Sequence, residues 1–193
     1  MTLRLVTAPT RPLVDLALVK QHLRVEADNH DEDALIDTLI RAATSMLEGR
    51  VQRRFVTQVL EWVTDEWPEE FHLPVAPVAA GGVAWIKYRD VDGTLQTLAT
   101  TDYVVSPCGP TVEIRPAQGT VFPVIDPDAA EAVVVRFTAG TAPVDAGENV
   151  HAAALLLIAH LYANRESVVI GQTVAQLPDG VDALILQEAW EAS

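Results

Sequence analysis

The spacing of apolar residues is helical in the first fifty residues of the chain. Leu16, Val19 and Leu23 form one apolar stripe behind Asp15, a residue type that caps helices, and Lys20 is expected to face water. A longer helix follows, with acidic residues in its first turn. Its apolar face consists of Leu35, Ile36, Leu39, Ile40, Ala43, Met46 and Leu47. Both stripes predict helices that pack against other elements.

In the middle of the chain, apolar and polar residues alternate with a period of two, and turn residues become frequent. Asp92-Gly93 is typical of a tight hairpin turn, and Gly109-Pro110 marks a second one. The intervening stretches are rich in β-branched and aromatic residues. Predicted strands cover residues 55–64, 83–89, 94–98, 103–106, 111–115 and 132–138.

Helical spacing returns near the end of the chain. A helix is predicted from Asn149, as N-cap, to about Arg165, and a short one carries Val181, Leu184 and Ile185. The inward residues of the first are Val150, Ala154, Leu157, Ile158 and Leu161. We therefore expect an α+β protein. Residues 1–53 and 142–193 would form one antiparallel helical bundle, and residues 54–141 an inserted small β-subdomain.

Composition restricts the function classes. The 193 residues carry 27 acidic and 13 basic side chains, a net charge of −14, which argues against binding to a phosphate backbone. The single cysteine excludes internal disulfides and cysteine-cluster metal sites. Since no apolar run is long enough for a membrane span, no membrane partner is expected.

A catalytic constellation is not evident in the sequence. His151 and His160 lie on opposite sides of a helix, and Cys108 follows no nucleophile motif. We expect no enzyme activity and no cofactor. Two alternatives remain open: a small cytosolic hydrolase with a site near Cys108 or His160, and a cytosolic sensor or chaperone-like binding module.

Several short motifs, taken in order, resemble the head-to-tail connector (adaptor) proteins of tailed phages and gene-transfer-agent particles. The first are LVDLALVKQHLRV at residues 13–25 and DEDALIDTLIRAATSMLEGRVQR at 31–53. The middle holds LPVAPV at 73–78 and IKYRDVDG at 86–93. The last are VVRFTAG at 134–140, AHLYANRE at 159–166 and LPDGVDALI at 177–185.

The resemblance implies a structural protein without enzymatic activity. Such a protein forms a cyclic ring, usually a dodecamer, beneath the capsid portal in the neck of the particle. There it extends the DNA channel without binding DNA specifically and joins the head to stopper or tail-completion proteins. Assembly of the particle would take place in the bacterial cytoplasm.

Three groups of residues are the candidate sites of such a ring. The segment from residue 181 to 193 is expected to dock on the portal through Val181, Leu184, Ile185 and Trp190, unless its helix packs on Leu157 and Leu161 of its own subunit. Acidic side chains are expected at the channel or its rim, unless they only confer solubility: Asp65, Glu66, Glu69, Glu70, Asp126 and Asp128. Contacts between subunits or with the portal are assigned to Arg53, Arg54 and Arg136. Trp67 either docks on a partner or folds back on its own subunit.

Overall fold

The structure is a computed structural model that describes residues 1–164 and 179–186. It contains β1 (Thr2–Thr7), α1 (Leu16–Leu23), α2 (Asp33–Val51), β2 (Gln58–Thr64), β3 (Val83–Arg89), β4 (Leu95–Thr97), β5 (Tyr103–Cys108), β6 (Thr111–Pro116), β7 (Val133–Ala139), α3 (Glu148–Ala163) and α4 (Asp179–Ile185). The expected mixture of helices and antiparallel sheets is confirmed.

The chain divides into two compact units. The sheet unit comprises Met1–Thr10 and Thr57–Gly140, and the helical unit comprises Arg11–Val56 and Thr141–Ser193. The predicted boundaries at residues 53 and 141 differ from this division mainly in the first ten residues. These residues were expected in the helical part, but β1 pairs with β2 and so joins the sheet unit.

The sheet unit is built on a five-stranded sheet of order β1-β2-β7-β3-β4, and β5 and β6 form a separate hairpin. Every pairing is antiparallel. Burial alternates strictly along β7, as expected for a strand with one face on the core. The core of this unit contains Trp62, Leu73, Ile86, Val135 and Phe137, each less than 5% exposed.

The predicted starts of one strand and one helix needed correction. The strand predicted from Phe55 begins at Gln58, because Phe55 and Val56 are buried in the core of the helical unit instead. The helix predicted to begin after an Asn149 cap begins at Glu148, with Gly147 at the N-cap position. Gly147 has a φ of 93°, which is unfavourable for residues with a side chain.

The helical unit is held by one core, to which each of the helices among residues 1–164 and 179–186 contributes. Ile36, Ile40, Ala43 and Leu47 of α2 are at most 2% exposed, and they share this core with residues of α1, α3 and α4. The prediction that these helices form an antiparallel bundle stays a prediction. None of the described helices has both the length and the hydropathy needed to cross a membrane.

Two predicted orientations in the helical unit are wrong. Met46 was expected on the apolar face of α2 but is 45% exposed, and the buried row runs instead through Leu47 and Val51. Lys20 was expected in water but is only 4% exposed, because its ammonium group bonds to the turn between α1 and α2.

Candidate functional site

Trp67 joins the two loops that carry the predicted acidic residues. Its ring stacks on Phe122, with the centroids 4.5 Å apart and the planes at 13°. Its indole Nε1 donates a hydrogen bond to the carbonyl of Pro123 over 2.8 Å. Trp67 is half-buried and therefore packs on its own subunit, the second of the two alternatives for this residue.

A second contact closes the same pair of loops. The backbone N–H of Glu131 donates to Oδ1 of Asp65 over 2.7 Å, and the Glu131 carboxylate is paired with Arg4. The loops therefore lie against each other in one part of the sheet unit, although about sixty residues separate them in the chain.

This part of the sheet unit carries a concentrated negative charge. All six predicted acids belong to the two loops, and all are exposed except Asp126, which is half-buried: Asp65, Glu66, Glu69, Glu70, Asp126 and Asp128. Solvated carboxylates can create a repulsive field for DNA without a burial cost. The location of these acids relative to a channel stays a prediction.

Two of the predicted basic contacts bind acidic groups of their own unit. Arg136 donates from Nε and a terminal nitrogen to Oε1 of Glu61, over 2.9 Å and 2.5 Å, and its guanidinium lies 4.7 Å from the centroid of the Trp85 ring. The Nε of Arg54 lies 3.9 Å from a carboxylate oxygen of Glu48. Their use between subunits or at the portal, with that of the half-buried Arg53, stays a prediction.

The predicted docking residues divide into two groups. Val181 and Ile185 are fully buried in the helical core, together with Leu157, so they stabilise the fold of their own subunit. Leu184 is half-buried against this core. Trp190 lies outside the described residues. Docking of this segment on a portal stays a prediction.

The two residues considered for catalysis, Cys108 and His160, are both exposed. Cys108 is exposed at the end of β5. His160 is exposed on α3 with Asn164 beside it. Within residues 1–164 and 179–186, no group of three His, Cys, Asp or Glu residues is placed to hold a metal ion.

One surface feature was missed by the sequence analysis. The helical unit has an open cleft of about 320 Å³, bordered by Arg11, Leu18, Val144 and His151. Leu18 and Val144 are 45% and 80% exposed. The cleft is formed by chain segments more than a hundred residues apart, so the sequence does not predict it. The one indication in the sequence is Leu18, an apolar residue that lies off the apolar stripe of α1.

The fold combines an antiparallel sheet unit with a helical unit, and two loops of the sheet unit are acidic. Comparisons with known proteins show what this chain is similar to. The family model described as "Phage gp6-like head-tail connector protein" matches residues 14–94. No curated protein gave a significant match. The family match confirms, with the structures below, the resemblance to head-tail connector proteins of phages and gene transfer agents.

Three solved structures are similar to this chain over its whole length, and each similarity covers 100% of this chain and 97% of the other. A chain of "Neck of empty GTA particle computed with C6 symmetry" is 27% identical with a TM-score of 0.79. A chain of "Virion of native gene transfer agent (GTA) particle" is 28% identical with a TM-score of 0.77. A chain of "Neck of native GTA particle computed with C12 symmetry", at 24% identity and a TM-score of 0.69, shares the fold.

Proposed function

We propose that this chain is a structural head-tail connector that forms a ring beneath the capsid portal. The ring extends the DNA channel and joins the head to stopper or tail-completion proteins in the neck of the particle. It is a cyclic homo-oligomer, a dodecamer, assembled in the bacterial cytoplasm. DNA passes through it without specific binding.

The observation that carries this proposal is the whole-chain similarity to a protein of a gene-transfer-agent neck. That similarity extends over both units, at a TM-score of 0.79. A match to the sheet unit or the helical unit alone would support only a shared domain. The cyclic symmetry named for that neck fits a ring of identical subunits.

The charge of the chain supports a role around DNA that does not involve binding. Six carboxylates in two adjacent loops, within a chain of net charge −14, repel phosphates. In the proposed ring these acids face the channel or its rim, and the segment from residue 181 to 193 reaches the portal.

The test is deletion of the gene in a producing strain, with particles purified and imaged. We expect full heads without attached tails, and attachment restored by the wild-type gene. Quantitative mass spectrometry of wild-type particles should find this chain in the same copy number as the portal. Normal tailed particles from the deletion strain would overturn the proposal.

A catalytic role is tested in the same assay. Cys108→Ser and His160→Ala remove the two groups on which a hydrolase would depend, and both side chains are exposed, so the fold should tolerate the changes. We expect both variants to restore tail attachment fully. Loss of attachment by a folded variant would favour the enzyme instead.

A further inference from the structure

The five-stranded sheet ends in two edge strands that have no neighbour within the part of the chain that the structure describes. The order β1-β2-β7-β3-β4 leaves β1 open on one side and β4 open on the other. An edge strand presents a row of unpaired backbone N–H and C=O groups, which is a template for another strand. The two free edges therefore offer complementary sites on a single molecule.

The two edge strands contain no proline and a single charged residue, so little opposes such pairing. The only charged residue of β1 is Arg4, and its guanidinium is paired with Glu131 of the same unit. The sequence of β4, Leu-Gln-Thr, has no charge at all. Apolar side chains are exposed on both strands: Leu5 is 57% and Leu95 is 50% exposed.

The lengths and directions of the edge strands also match. The pairing of β1 is irregular between Leu5 and Thr7, so its regular part is Thr2 to Leu5, close to the three residues of β4. Four successive antiparallel pairings separate the two strands, so they run in the same direction. Copies related by rotation about an axis along the strands would therefore bring β4 beside β1 as a parallel pair.

We propose that β4 of one subunit pairs with β1 of the next, so that the sheets of all subunits form one closed wall. This inference rests on the proposed ring and names the contact that closes it. The occupant of each edge is a second copy of this chain, because a head-to-tail contact between opposite edges repeats until the ring closes.

The dimensions fit a ring around DNA. Five strands about 4.8 Å apart give each subunit about 24 Å of sheet width. Twelve such widths close at a radius of roughly 45 Å, which surrounds a DNA duplex with room for further protein inside the wall.

Cysteine cross-linking in assembled particles tests the pairing. Leu5 pairs with Leu60 on the core face of the sheet, and Gln96 pairs with Tyr88 on that same face. A Leu5→Cys, Gln96→Cys variant on a Cys108→Ser background should form disulfides across the edge contact on oxidation. We expect a ladder of covalent multimers on a non-reducing gel.

The matched control moves one cysteine by one residue. Thr97 points to the opposite face from Gln96, so Leu5→Cys with Thr97→Cys should give no ladder. Covalent dimers from Leu5→Cys alone would show two-fold pairing of β1 with β1 and overturn the inference. The absence of a ladder of covalent multimers from particles that contain the double-cysteine variant would also overturn the inference. Absence of the wild-type chain from particles would overturn the proposed function itself.

Charge variants provide a second measurement that does not depend on disulfide geometry. Leu5→Lys and Gln96→Lys should each reduce incorporation into particles about fivefold, and Leu5→Glu combined with Gln96→Lys should restore it through an opposite-charge pair. Val144→Lys is the control, since Val144 is 80% exposed and belongs to the helical unit rather than to the sheet unit. Equal incorporation of all variants would contradict the edge contact.

Discussion

The ammonium group of Lys20, a residue only 4% exposed, donates a hydrogen bond to Oδ1 of Asp33 over 2.8 Å. It also donates to the carbonyls of Ala27 and Asn29, over 3.1 Å and 2.6 Å. Each of its three N–H donors therefore has an acceptor, which offsets the cost of burying the charge. Because these acceptors follow α1, Lys20 holds the turn that leads into α2.

Lys20→Met should lower the free energy of unfolding by about 2–3 kcal/mol, because it removes a hydrogen bond to a charged group and leaves two carbonyls without their donor. Urea denaturation of the purified chain measures the change. Gln21→Met is the control, since Gln21 is exposed on the same helix and should change stability by less than about 0.5 kcal/mol. Equal effects would mean that the buried ammonium does not hold the turn.

The same site predicts a dependence of stability on pH. Hydrogen bonds from Lys20 and then His30 hold the pKa of Asp33 below its ordinary value of 3.8. The ionised carboxylate therefore stabilises the fold above its unfolded-state pKa, and this contribution is lost as the pH falls through the lower folded-state pKa. The wild type should exceed Asp33→Asn in stability by a constant margin above about pH 5, and the margin should shrink in acid. Denaturation at a series of pH values measures this margin, and a margin that grows in acid would contradict the assignment.

Trp67 should be necessary for the contact between the two acidic loops. Trp67→Ala should lower the free energy of unfolding by about 2–3 kcal/mol. This is below the range for a fully buried Trp, because the Trp67 side chain is half-buried. Trp67→Phe retains an aromatic ring beside Phe122 but loses the bond to Pro123, so it should cost about 1 kcal/mol. Urea denaturation distinguishes the two variants, and equal losses would show that stacking contributes little.

The Arg136 and Glu61 pair should show measurable coupling in a double-mutant cycle. Its side chains are 36% and 17% exposed, and we expect a coupling energy of about 1 kcal/mol. The pair of Arg4 and Glu131 is 47% and 49% exposed, so it should couple by less than about 0.5 kcal/mol. High salt should weaken the exposed pair more than the other one. The reverse order would show that burial does not control these interactions.

In the C-terminal segment, Ile185 should be needed for folding, and residues 187–193 should be needed for docking on the portal. Ile185→Ala should lower the free energy of unfolding by about 2–4 kcal/mol, because Ile185 is fully buried. Deletion of residues 187–193, which contain Trp190, should leave the melting temperature unchanged but weaken binding to the purified portal. Leu186→Ala is a control for stability, since Leu186 is 56% exposed. Normal portal binding by the deletion variant would refute docking through this segment.

The local pattern of the sequence was sufficient for most helices and strands. The alternating stretch at residues 83–89 coincides with β3, and the apolar stripe at Leu16, Val19 and Leu23 coincides with α1. These elements depend on the spacing of neighbouring residues and on turn residues such as Gly93, whose φ is 75°. The strand predicted at residues 132–138 likewise overlaps β7.

The partners of each element were decided by the tertiary structure. β1 was missed because it forms a strand only beside β2, more than fifty residues later in the chain. Lys20 was placed in water because its carbonyl acceptors lie in a turn whose path the sequence does not specify.

The surfaces depend on contacts between still more distant residues. Charge counting identified the acidic loops, but the stacking of Trp67 on Phe122 brings them together. The strand order likewise determines that β1 and β4 form the edges of the sheet. The sequence of a strand does not specify its position in the sheet, so none of the described strands could be assigned to an edge in advance. Hydrophobic spacing is a property of neighbouring residues and can be read from the sequence. A contact such as that of Arg4 with Glu131, 127 residues apart, exists only once the intervening chain has folded.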